Sequence, residues 1–314
     1  MLSILRKPVM FNKLVNYIDV PMNMITQFFR PVRNLFLVTT IVVAFGTGCA
    51  SMLYDATSNM ASSLSHAMLN HDDLDTIKGA APAYLLMADG LIRDYPNEIT
   101  LLTTAAQMYS AYAGVFVDEP ERSKRLTSRA LDYAMRAACL QRAISCDWRK
   151  QRFDIFKTSL AELDKADVEV FFTLGSTWAG WIQAHSEDWN AIAEVPRVTA
   201  IMQRIIELDE TYQQGAAHLY LGVAYTLLPP AMGGKPEIGR KHFEEAIRLS
   251  NGQNLSVKVL YARQYARLVF NRELYERLLK EVIAADPVVY DLTLMNILAQ
   301  QQAQQLLAEA DDYF

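Results

Sequence analysis

Apolar positions in this 314-residue chain recur at helical spacing, and strand-like alternation is almost absent. HFEEAIRLS places Phe243, Ala246, Ile247 and Ser250 on one face, at i, i+3, i+4 and i+7. ERSKRLTSRALDYAMRAA does the same with Leu126, Ala130, Tyr133, Ala134 and Ala137, with charged residues between them. The pattern predicts an all-α fold. Breakers cut it at fairly even intervals: Asp72-Asp73, Tyr95-Pro96-Asn97, Asp118-Glu119-Pro120, Asp147, Asp188, Pro229-Pro230, Asn251-Gly252 and Asp286-Pro287. Such spacing suggests stacked helical hairpins, and internal repeats follow as the next question.

One repeat signal is clear. LYLGVAY, Leu219 to Tyr225, has the L-G-x-x-Y spacing of a tetratricopeptide helix A in Leu221, Gly222 and Tyr225, and Phe243 with Ala246 supplies the F-x-x-A of a helix B. The glycine would let the second helix approach closely. A weaker unit pairs AAQMYSAYAG with ALDYAMRA. Both turns look oversized, LLPPAMGGKPEIG in the first and FVDEPERSKR in the second. The expected architecture is therefore tetratricopeptide-like helical hairpin repeats with enlarged inter-helix loops.

The N-terminal stretch has a different character. Arg30 and Arg33 precede an apolar run from Leu35 to Phe45, which small residues close: the three parts of a secretory signal. The run is about a dozen residues where a membrane-crossing helix needs roughly 20. Gly46-Thr47-Gly48-Cys49 resembles a bacterial lipobox with Gly46 where leucine is usual, so Cys49 is the expected lipidation site. An uncleaved anchor or a plain secretory signal are the alternatives. Residues 1–48 read as the leader, with Met22 or Met24 leaving a signal of ordinary length, and 49–314 as one helical domain. Ala50 in place of Asp favours the periplasmic face of the outer membrane.

Composition narrows the functions. The net charge of −5 is dispersed, so a basic footprint for nucleic acid is absent. Cys139 and Cys146 form either a disulfide, if the compartment is oxidising, or two buried thiols on one helix face. His66, His71, His185, His218 and His242 include no H-E-x-x-H pair, so neither metal nor other cofactor is called for. No G-x-S-x-G elbow or Walker loop occurs, and Gly233-Gly234-Lys235 reads as a flexible loop between helices. Asp72-Asp73, Glu244-Glu245 and Asp311-Asp312 suit helix capping or a solvated face. Catalysis is not expected.

Binding has better candidates. Trp178 and Trp181 lie at i and i+3, as do Tyr109 and Tyr112; each pair could line an apolar groove or pack two helices together. YARQYARLVFNR sets Tyr261 and Tyr265, and likewise Arg263 and Arg267, four residues apart. Those arginines could hold a carboxylate bidentately, or stack over tyrosine and pair with Glu273 and Glu276. Arg197 is a further candidate on the same grounds, and Tyr225 is a candidate lining for a tunnel. Pro229, Pro230, Gly233 and Gly234 make a candidate interaction loop.

Several longer strings are specific. GAAPAYLLMADGLI, STWAGWIQAHSEDWNAIAEVPRV, GAAHLYLGVAY, LLPPAMGGKPEIGRKHFEEAIRLS and LLAEADDYF closely resemble the TatT component associated with some TRAP transporters, over about Asn59 to Phe314. The resemblance implies a periplasmic lipoprotein with a tetratricopeptide-like fold, a homotrimer, and a P-type solute-binding protein as partner. The function expected from it is non-catalytic assistance to solute uptake, with an organic acid or hydrophobic ligand. The alternative is an envelope scaffold that binds protein segments and no small solute.

Overall fold

The computed structural model describes residues 66–314 together with Ser63. Cys49, the leader and the lipobox lie outside these residues.

Among the described residues there is no β-strand, and the all-α expectation holds. Three long helices come first: α1 (Leu74–Asp94), α2 (Ile99–Phe116) and α3 (Pro120–Gln141). A short α4 (Phe153–Ser159) leads to α5 (Val168–Ala184), a four-residue α6 (Trp189–Ile192) and α7 (Val195–Asp209). The chain continues through α8 (Ala216–Thr226), α9 (Pro236–Leu249), α10 (Leu255–Leu260), α11 (Arg272–Ala284), α12 (Thr293–Ala308) and α13 (Ala310–Tyr313).

Local chemistry sets most of the boundaries. Asp73 caps α1 by accepting the Asp75 and Thr76 amides, which gives the Asp72-Asp73 pair a structural use. Asp188 caps α6 in the same way. Pro120 opens α3, where its missing N–H costs nothing. That start corrects the second enlarged turn: α2 runs through Phe116, only 117–119 connect, and the charged ERSKR stretch is the first part of α3. The first turn is enlarged as expected, because 227–235 separate α8 from α9.

Helices α2 and α3 pack antiparallel, since Arg122 at the start of α3 donates to Tyr112 near the end of α2. Tyr109 of α2 meets Tyr133 of α3 edge to face at 6.0 Å, and Trp181 of α5 donates to Ser128 of α3 at 3.1 Å. Two hydrophobic clusters result. One gathers α1, α2, α3, α5 and α7 around Trp148, Phe156, Phe171 and Trp178; the other gathers α9 to α13 around Phe243, Tyr275 and Leu279. Helix α8 serves both, with Ala217 and Leu221 in the first and Leu219 and Val223 packed against the second. A helix that is apolar all round belongs between two cores. Gly222 makes the α8–α9 crossing close: a Cβ there would stand 2.8 Å from the Phe243 ring.

Candidate functional site

The α8–α9 hairpin also forms one wall of a depression in the surface. Its cavity holds about 320 Å³ and opens broadly to solvent. Pro196, Thr199, Ala200 and Gln203 of α7 line it at helical spacing, so one stripe of that helix faces the opening. Ala224 and Tyr225 end the α8 side, Phe153 and Lys157 come from α4, and Lys235 comes from the loop before α9. The walls are mainly apolar. No carboxylate lines the groove, and neither Lys157 nor Lys235 forms an ion pair among the described residues.

Tyr225 is fixed on both sides. Gln203 donates to its hydroxyl at 2.7 Å, and its ring stacks on His242 with an interplanar angle of 4°. Behind it, His242 and His218 bring their Nδ1 atoms to 2.9 Å, so one donates and the other accepts. Burial pushes both imidazoles below their ordinary range, His242 to about 4. The neighbouring His218 adds to the depression at His242, while Glu245 opposes it.

The loop that delivers Lys235 is a hydrogen-bonded turn and not a loose linker. The amides of Gly233 and Gly234 bond to the carbonyls of Pro230 and Pro229, and the Lys235 amide bonds back to Tyr225 at 3.0 Å. Gly233 has φ +90°, open to glycine at little cost. Gly234 has the Leu228 carbonyl where a side chain would begin, so glycine is required there by space.

The other candidate residues lie apart from this groove, and several are core. Trp178 is fully buried, its indole N–H held by Glu194 at 2.5 Å. Trp181 is half-buried, with the Arg149 guanidinium 4.1 Å above its ring. Tyr109 is buried and donates to Asp89 at 2.8 Å, an acid that also accepts from Tyr133 and Arg129. Tyr112 is buried beside Arg122. Arg197 turns inward to the Gln151 carbonyl and lies over Phe156, leaving Nη1 buried without a hydrogen-bond partner. Burial lowers its pKa. Tyr261 is buried against Phe243, whereas Arg263 and Arg267 stay half-exposed.

Phe153, Lys157, Thr199, Ala200 and Gln203 were not singled out from sequence. The spacing of Thr199, Ala200 and Gln203 along α7 is an ordinary polar and small stripe, and only the packing of α4, with Phe153 and Lys157, against α7 turns it into a wall. Cys139 and Cys146 are joined in a disulfide, with Cα atoms 4.4 Å apart, at the end of α3. Among the described residues no group of three or more His, Cys, Asp or Glu is placed to hold a metal, and no helix is long and apolar enough to cross a membrane.

Residues 70–314 match the family described as TRAP transporter T-component. An uncharacterized protein of Treponema pallidum (strain Nichols) is 24% identical over 270 residues, which cover 77% of this chain and 81% of that protein.

Proposed function

The chain belongs to the TRAP transporter T-component family, and on that premise we propose that it assists TRAP-type uptake by binding a P-type solute-binding protein and the solute that protein carries. Membership places it in TRAP transport as an accessory component. In the proposed arrangement the protein is non-catalytic, periplasmic, trimeric and held to the outer membrane by lipid on Cys49.

The observation that carries the solute-binding part is the groove at Tyr225. Its apolar walls suit a hydrocarbon body, and Lys157 and Lys235 supply charge for an acidic head where no protein carboxylate competes. Exposed apolar side chains lie on the same elements, Ile155 on α4 and Leu227 and Met232 on the loop, and support a protein partner seated over the opening.

Sedimentation tests the proposal. The chain from Ala50 onward should form a complex with its cognate solute-binding protein, and Thr199→Trp, which fills the groove from a partly buried position of α7, should weaken it about tenfold, a loss of roughly 1.4 kcal/mol. Absence of any complex would end the docking reading. A complex indifferent to Thr199→Trp would favour the scaffold that binds protein segments and no small solute.

A further inference from the structure

The second cluster carries on its surface a pair of charges that the groove does not use. Helix α10 passes without a break into a π-helical turn, Tyr261–Ala266. Its buried face is Tyr261, Ala262, Tyr265 and Ala266, so Arg263 is carried on the opposite, half-exposed side. Arg267 follows four residues later on the same side. Like charges at this separation repel, and a surface helix normally relieves them with a nearby acid.

Here Glu244, Glu237, Glu276 and Asp311 are committed elsewhere. Glu244 accepts from Arg240 at 2.8 Å and faces the Tyr261 hydroxyl, while Glu237 takes Tyr265 at 2.7 Å and Arg240 at 2.9 Å. Glu276 is held by Arg272 at 2.6 Å and Lys280 at 2.8 Å, and Asp311 by Arg272 at 2.5 Å. Among the described residues neither Arg263 nor Arg267 has a carboxylate within ion-pair distance. The pairing with Glu273 and Glu276 that the sequence allowed is not made among the described residues.

The Arg267 guanidinium carbon lies over the Tyr313 ring, 3.8 Å from its centroid. Stacking uses the face of a guanidinium and leaves the N–H fork in its plane available. Arg263 has no such cover. Burial, and then the charge of Arg267, pull its pKa down, as expected for a partly buried cation beside another cation. A π turn inside an α-helix is itself uncommon and frequent at functional sites.

We propose that Arg263 and Arg267 form an oxyanion-binding site that takes a carboxylate or phosphoryl group between two guanidinium forks. The bound anion supplies the missing countercharge, so the site is costly to the protein when empty and stabilising when filled. This site is separate from the groove and does not rest on it.

Thermal unfolding of the full chain at pH 7 provides the test, in sodium phosphate, sodium acetate and sodium chloride at equal ionic strength. Phosphate or acetate should raise the wild-type midpoint over chloride, by about 3 °C at ten times the dissociation constant. Arg263→Gln, which removes the repulsion, should start at or above wild type in chloride and lose the response. Arg263→Glu, which places an acid four residues from Arg267, should start higher still and also be unresponsive. An equal response in all three proteins, or none from wild type to either oxyanion, overturns the site. Response to phosphate alone assigns it to phosphoryl groups, and response to both assigns it to oxyanions in general.

Discussion

Asn296 is a polar side chain with no exposed surface and a complete set of partners. Its Oδ1 accepts the Leu255 amide at 3.0 Å, and its Nδ2 donates to the carbonyls of Gln253 at 3.0 Å and Pro287 at 3.3 Å. One amide therefore ties the start of α10 and the turn before α12 to α12 itself. Asn296→Leu leaves the buried Leu255 amide and two partly buried carbonyls without partners, and urea unfolding should show a loss of about 2 kcal/mol. A change within about 0.5 kcal/mol, the size of an indifferent surface substitution, would remove Asn296 from that role. Nothing in the string around it marks it out, because two of its three partners come from 41 and 43 residues away. The tryptophans teach the same lesson from the other side. Spacing put Trp178 and Trp181 on one helix face, yet Trp178 is core and Trp181 lies half-exposed under Arg149, since α5 has neighbours on more than one side.

At the scale of elements, the α8–α9 hairpin was the most legible part of the fold and carries the groove's most specific side chain. The L-G-x-x-Y string could be read because its glycine has a local geometric reason, the Phe243 ring packed against it. The histidine pair inside the hairpin could not, because His218 and His242 meet only through that crossing. It makes the hairpin sensitive to acid. The folded pKa of His242 lies at about 4, below the ordinary value of 6.5, and that of His218 is lowered too. Between those values the unfolded chain takes up protons that the folded chain refuses, so stability is fully present above about pH 6.5 and falls as pH drops towards 4. Glu210, Glu245 and Arg248 face the same pair, and the first two soften the effect at His218. Denaturant midpoints at pH 7 and pH 4.5 should therefore converge in His242→Gln relative to wild type. An unchanged pH dependence in that variant would show that other groups set the acid limit.

Residues 66–314 lie in one compact unit with two hydrophobic clusters, and helix α8 is the element that both share. Helical class was readable from periodicity; the division of apolar residues between two clusters was not, because periodicity fixes a face without naming its neighbour. Joint melting of both clusters can be probed from a covalent tie that lies wholly in the first. The Cys139–Cys146 disulfide closes a short loop at the end of α3, beside the Arg142 guanidinium that binds buried Asp167 at 2.8 Å. Loop-closure entropy for so short a ring corresponds to about 2 to 3 kcal/mol. Cys146 is exposed, so a soluble reductant reaches it. Replacing both cysteines by serine, or adding reductant, should lower the midpoint by roughly 5 to 10 °C, and if α8 couples the clusters the transition should stay single and move as a whole. Two transitions, only the lower of them sensitive to reductant, would mean that the clusters unfold separately. The same cysteines report on compartment, since a disulfide persists where thiols are not kept reduced. Protein taken from the envelope with thiols blocked at lysis should show no free Cys139 or Cys146, and finding both free would count against the periplasmic placement.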